Sequence, residues 1–115
     1  MGRHVHLELY QCPVGQITAP ATAQGILRTA AEIMQATIIG SHFHAFSPYG
    51  VSGVVIIAES HLTIHTWPEH QYAAVDVFSC GDLDLEAGLQ HIIEAFGAER
   101  HEVRYFDRGF VVANK

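Results

Sequence analysis

Val51-Ser52-Gly53-Val54-Val55-Ile56-Ile57-Ala58, then Glu59-Ser60, then His61-Leu62-Thr63-Ile64-His65-Thr66-Trp67: two β-like runs broken by a glutamate–serine pair decide how this chain is read. Both runs are rich in β-branched residues, and Trp67-Pro68-Glu69 closes the second, so they read as consecutive strands. Upstream, Thr37 to Phe46 has the same β character and ends in the loop Ser47-Pro48-Tyr49-Gly50. Downstream, Gln71 to Cys80 is a further β-rich run, apolar on both faces at Ala73-Ala74-Val75.

The flanks complete the pattern. His4 to Tyr10 alternates Val5, Leu7 and Leu9 with His4, His6 and Glu8, the period of two of a half-buried strand. Gln11 to Pro20 is a polar connection, and Ala21 to Ala36 carries Ile26, Leu27, Ala30, Ile33 and Met34 at helical spacing. Asp82 or Asp84 can cap a second helix that runs to Phe96 and stops at Gly97. His101 to Phe106 supplies a last strand, and nothing is assigned after Gly109. The order β-α-β-β-β-β-α-β predicts an α+β two-layer sandwich, a mostly antiparallel sheet with two helices on one face. The other face then needs a cover, and a second copy of the chain supplies it, so a homodimer is expected.

At 115 residues the chain is one domain, expected to span 1–115, with 49% hydrophobic and 16% charged residues. A formal net charge of −6 argues against binding nucleic acid, which needs a basic face. No run of apolar residues is long enough to span a membrane and no secretory signal is recognisable. Cys12 and Cys80 are too few for a disulfide framework, which predicts a reduced, cytoplasmic setting.

Several residues invite chemistry. The Ser60 hydroxyl adjoins its own N-terminal peptide bond, whose carbonyl it can attack if the oxyanion is stabilised. On a strand, residues 61, 63 and 65 share a face, which is expected to bring His65 near Ser60. Cys80 closes the next β run at the same sheet edge. Taken alone, however, Cys80 reads as a buried small hydrophobe and His65 as a hydrogen-bonded core histidine. Phe46 reads equally as core, and Glu69 as a solvated acid after a turn. The pairs His4-x-His6 and His42-x-His44 have strand geometry used by zinc and copper sites, so a small histidine-rich metal-binding protein is a rival class. Gly50-Val51-Ser52-Gly53 lacks the second glycine of a nucleophile elbow, and no phosphate-binding glycine loop is present.

Four longer words narrow this choice: Phe43-His44-Ala45-Phe46, the run from Tyr49 to Val55, the run from Glu59 to Glu69, and the run from Tyr72 to Gly81. With them the chain, from Gly2 to Gly109, resembles the small prokaryotic S-adenosylmethionine decarboxylases. The resemblance implies a proenzyme that cuts itself between Glu59 and Ser60 into a β chain, 1–59, and an α chain, 60–115. By that resemblance Ser60 becomes a covalent pyruvoyl group, with His65 and Ser52 assisting the self-processing. The pyruvoyl ketone forms a Schiff base with the substrate amine, and Cys80 protonates the carbanion left when carbon dioxide departs. Phe46 is implied to stack on the adenine and Glu69 to hold the ribose hydroxyls; Glu8 is a further candidate for the substrate's cationic end.

Neither a metal nor an external cofactor is called for. The implied product is decarboxylated S-adenosylmethionine, an aminopropyl donor for spermidine synthesis. One departure stands out, in Glu69-His70-Gln71-Tyr72, where the family usually has glycine before the tyrosine. That change bears on the pocket, so arginine and ornithine, substrates of similar pyruvoyl decarboxylases, are the alternatives.

Overall fold

Val5, Leu7 and Leu9 are fully buried while His4, His6 and Glu8 between them are only partly so. The same two-residue alternation recurs through the β-rich runs on either side of Glu59-Ser60 and in the run that follows. Alternation of this kind requires a sheet with one face on the core. The computed structural model of the chain, which describes residues 2–58, 60–80 and 82–109, contains that sheet.

Its strands are β1 (Gly2–Tyr10), β2 (Ile38–Ala45), β3 (Val51–Ile57), β4 (Ser60–Trp67), β5 (Tyr72–Ser79) and β6 (Arg100–Arg108). They lie side by side in the order β2-β3-β4-β5-β1-β6. Every pairing among the described residues is antiparallel, where a mostly antiparallel sheet was expected. The last strand exceeds the expected 101–106 because it pairs along the whole of β1, from Gly2 opposite Arg108 to Tyr10 opposite Arg100. β4 begins at Ser60 itself, paired with Ile57 across a tight hairpin. Glu59 lies outside the described residues, as do Met1, Gly81 and residues 110–115.

Two helices, α1 (Pro20–Ile33) and α2 (Leu85–Phe96), cover one sheet face. Pro20 sits in the first turn of α1, where its missing N–H costs nothing. The helix stops short of the expected Ala36 because Gln35 adopts a left-handed φ of 66°. Of the two candidate caps for α2, Asp84 is the one used: its carboxylate accepts from the Ala87 N–H at 3.3 Å. Gly97, at φ 70°, ends the helix as expected.

The helices pack closely where Gly88 faces Met34, for a Cβ at Gly88 would lie 2.4 Å from Met34 Cγ. Between helices and sheet lies the core, including Leu7, Leu27, Leu62, Ile64, Val77, Ile92 and Phe96. Among the described residues no layer covers the opposite face, and its side chains belong to the site described next.

Leu7 has no exposed surface on β1, a strand paired on both sides by β5 and β6, and truncation there leaves a cavity that rigid neighbours cannot fill. Leu7→Ala should lower the unfolding free energy by about 3 kcal/mol in urea titration. A loss below about 1 kcal/mol would show that the core is not centred on this strand.

Candidate active site

β4 starts where β5 ends, because the two are antiparallel neighbours. That edge of the sheet joins two of the expected residues. The backbone N–H of Cys80 donates to Ser60 Oγ at 3.0 Å. Ser60 is partly buried, whereas Cys80 is exposed and its thiol is free. Cys12, in contrast, is fully buried, and burial pushes its thiol up to about 11. The buried reading therefore applies to Cys12, not to Cys80.

A second cluster sits at the other end of β4. Ser52 and His65 are direct partners across the β3–β4 pairing, and their Oγ and Nδ1 share a hydrogen bond of 2.8 Å. Next to them Thr66 is buried and doubly engaged. Its hydroxyl accepts from the Val51 N–H at 2.9 Å and donates to the Ile17 carbonyl at 2.9 Å. It thereby anchors the first residue of β3 to the loop before α1, and Ser52 is the next residue along.

Phe46, Tyr49, Ser52, His65, Trp67 and Glu69 surround a cavity of about 280 Å³. Glu69 comes from the 3₁₀ turn Pro68–His70, and Phe46 from the loop after β2, where its half-exposed ring meets His44 edge-on at 4.6 Å. Phe46 and Glu69, both expected at a nucleoside site, thus line one cavity. Tyr49 and Glu69 also border a neighbouring space of about 450 Å³ walled by Val14, Thr18, Pro68 and Gln71.

Gln71 explains its own departure from the expected glycine. It has a left-handed φ of 54°, which glycine adopts without strain. Its side-chain amide reaches the Cys12 carbonyl at 3.4 Å.

Glu8 is at neither cluster. It lies on the open face of the sheet, in line with His65 but across Ala74, and its carboxylate accepts from the Tyr72 hydroxyl. Burial, then that hydrogen bond, pushes the Tyr72 phenol well above its ordinary range. Tyr72 belongs to a column of rings: it stacks on Trp67 at 5.2 Å and on Tyr10 at 5.5 Å, and the Arg100 guanidinium covers Tyr10 at 4.0 Å. Tyr49, Thr66, Trp67 and Tyr72 were not singled out from sequence. The cue available for Thr66 was a polar residue at an inward position of a strand.

The expectation that His65 projects near Ser60 is corrected. They are five residues apart on one extended strand, roughly 17 Å at about 3.3 Å per residue. Within one chain, Ser60 and Cys80 form one group, while Ser52, His65, Phe46 and Glu69 form another, and the two do not meet.

A two-layer α+β domain with hydroxyl, thiol and imidazole groups placed at the ends of its central strands has the layout of a small enzyme. The model of the S-adenosylmethionine decarboxylase family matches residues 3–109. An S-adenosylmethionine decarboxylase proenzyme from Thermodesulfovibrio yellowstonii is 46% identical over 112 residues, covering 96% of this chain and 83% of the relative. One from Thermotoga maritima is 46% identical over 110 residues, covering 95% and 85%. The crystal structure of the adenosylmethionine decarboxylase of Aquifex aeolicus superposes with a TM-score of 0.85 at 34% identity, over 94% of this chain and 90% of that one. The chain belongs to the S-adenosylmethionine decarboxylase family.

Two outcomes test the site's geometry. A thiol reagent should label Cys80 rapidly in the folded protein and Cys12 only after unfolding; equal rates would contradict the burial difference. Thr66→Val leaves the Val51 N–H and the Ile17 carbonyl unpaired, and should cost about 1–3 kcal/mol in thermal or urea unfolding, with Thr66→Ser restoring most of it.

Proposed function

We propose that this protein is a self-processing decarboxylase of S-adenosylmethionine whose pyruvoyl group is made from Ser60. The observation that carries the reading is the contact between Cys80 and Ser60, at the start of β4. That contact fits a carbonyl built on residue 60. It brings Cys80, whose exposed thiol is in no disulfide, beside residue 60.

The processing step follows from the residues. The Ser60 hydroxyl attacks the Glu59 carbonyl, converting the amide to an ester, and an imidazole takes the hydroxyl proton and returns it to the released nitrogen. His65 suits that task, because an imidazole can act as base and then as acid near neutral pH. Ser52, bonded to Nδ1, orients the ring. Loss of the Ser60 α-proton then expels the Glu59 carboxylate and leaves a dehydroalanine, whose imine tautomer is hydrolysed by water to release ammonia and give the α chain, 60–115, a pyruvoyl terminus. That carbonyl supplies the electron sink for decarboxylation. Cys80 delivers a proton to the substrate's α-carbon, Glu69 accepts hydrogen bonds from the ribose hydroxyls, and Phe46 presents a face to the adenine.

This division of labour requires the two groups to meet, and a homodimer is the arrangement that lets them. A two-fold axis through the open sheet face lays the Ser52–His65 end of one copy over the Ser60–Cys80 end of its partner, and the reverse. Each dimer then holds two composite sites. Cytoplasmic location agrees with two free cysteines, and among the described residues no helix is long and apolar enough to cross a membrane.

The metal-binding reading is not favoured. Among the described residues His4, His6 and Asp76 bring possible ligand atoms within 4.8 Å. Arg108, however, donates to His4 Nδ1 at 3.2 Å, which leaves the proton of the neutral ring on Nε2. Arginine and ornithine are likewise less favoured than the substrate that the relatives at 46% and 47% identity are named for.

Mass spectrometry of the purified protein should give two chains divided at Glu59–Ser60. Carbon dioxide release should be seen with S-adenosylmethionine and not with arginine or ornithine. An intact chain that still decarboxylates would overturn the pyruvoyl mechanism, and turnover of arginine alone would overturn the substrate. Ser60→Ala should abolish cleavage and activity together, whereas Cys80→Ala should cleave but turn over at least about 100-fold more slowly, the typical weight of a general acid.

A further inference from the structure

Six of the nine histidines lie on the open face of the sheet: His4 and His6 on β1, His42 and His44 on β2, His61 and His65 on β4. Their rings are packed, not scattered. His4 meets His6 at 4.6 Å, His6 meets Phe106 at 4.9 Å, and His4 and His61 each meet Phe78 at 5.8 Å.

The other ionic groups on this face nearly cancel. Among the described residues they are Arg100, Arg104 and Arg108 against Glu8, Asp76 and Glu102, with Glu69 beside His65 at the cavity. β3 contributes only Ser52, Val54 and Ile56 to the face, and the other titratable groups there are the phenols of Tyr10 and Tyr72. The net charge of the face is therefore set by its imidazoles, near zero when they are neutral and strongly positive once they are protonated.

We infer that the contact between two copies of this face is acid-labile, the histidines acting as a built-in switch that separates the protomers and divides the composite site. The inference rests on the homodimer proposed above. In a two-fold contact like meets like, so every imidazolium on one copy faces the same set on the other. Asp76, 4.0 Å from His6 Nε2, offsets only part of that charge. Within a single copy the effect already has a foothold: burial, then the neighbouring His6, hold His4 below its ordinary pKa. A dimer that keeps these rings neutral binds fewer protons than its separated halves. Dissociation therefore takes up protons, and the dimer dissociation constant rises as pH falls, tenfold per pH unit for each proton taken up.

Sedimentation velocity of the processed protein at about pH 8, pH 6.5 and pH 5.5 tests this. The dissociation constant should rise about tenfold or more between the extremes. His6→Asn combined with His42→Asn, neither residue lining the cavity, should leave dimerisation at about pH 8 within about threefold and reduce the pH slope. A dimer whose dissociation constant does not change with pH overturns the inference while leaving the homodimer intact. Retention of the full slope in the double variant overturns the assignment to these histidines. A protein that is monomeric at pH 8 overturns the homodimer itself, and the switch with it.

Discussion

An extended strand advances about 3.3 Å per residue and turns successive side chains to opposite faces. β4 obeys both rules from Ser60 to Trp67, and the organisation of the site follows from that. Its inward residues, Leu62, Ile64 and Thr66, are locked into the core beneath the helices, so the strand has no freedom to coil and draw its ends together. Ser60 and His65 are held apart by the same packing that makes the domain stable. A reaction that needs both must be completed from outside the chain.

Each end of β4 is then furnished by different neighbours. At its start, the antiparallel β5 returns Cys80 to Ser60. Toward its end, β3 presents Ser52 to His65, and Thr66 anchors the residue before Ser52 to the loop ahead of α1. The turn after Trp67 sets Glu69 over the same cavity that Phe46 enters from the loop after β2. The face between the two ends is lined with histidines and aromatic rings and carries balanced fixed charge, which suits a contact that must be both specific and reversible.

The fold was largely legible because its strands alternate cleanly and its second helix has a clear stop at Gly97, though the choice of Asp84 over Asp82 as its cap needed the structure. The end of α1 was not, since Gln35 is no ordinary breaker and its left-handed backbone shows only in the structure. The family words marked Ser60, Cys80, Ser52, His65, Phe46 and Glu69, and the structure gathers all six into two groups. What sequence misjudged was distance: residues near in a motif are far apart when the motif is an extended strand. The pairing of Glu8 with Tyr72 was equally invisible, because it joins strands whose residues lie 64 positions apart in sequence. Gln71 was noticed as a departure, but its cause, a left-handed residue tied to Cys12, needed the backbone.

The central claim is that the imidazole that processes one chain belongs to its partner. Co-expression of differently tagged Ser60→Ala and His65→Ala chains tests it most directly, since each is defective alone and a mixed dimer holds one intact composite site. Mass spectrometry should find the His65→Ala chain cleaved at Glu59–Ser60 only when the Ser60→Ala chain is present. Absence of cleavage in a mixed dimer verified through both tags, or efficient cleavage of the His65→Ala chain by itself, would contradict it.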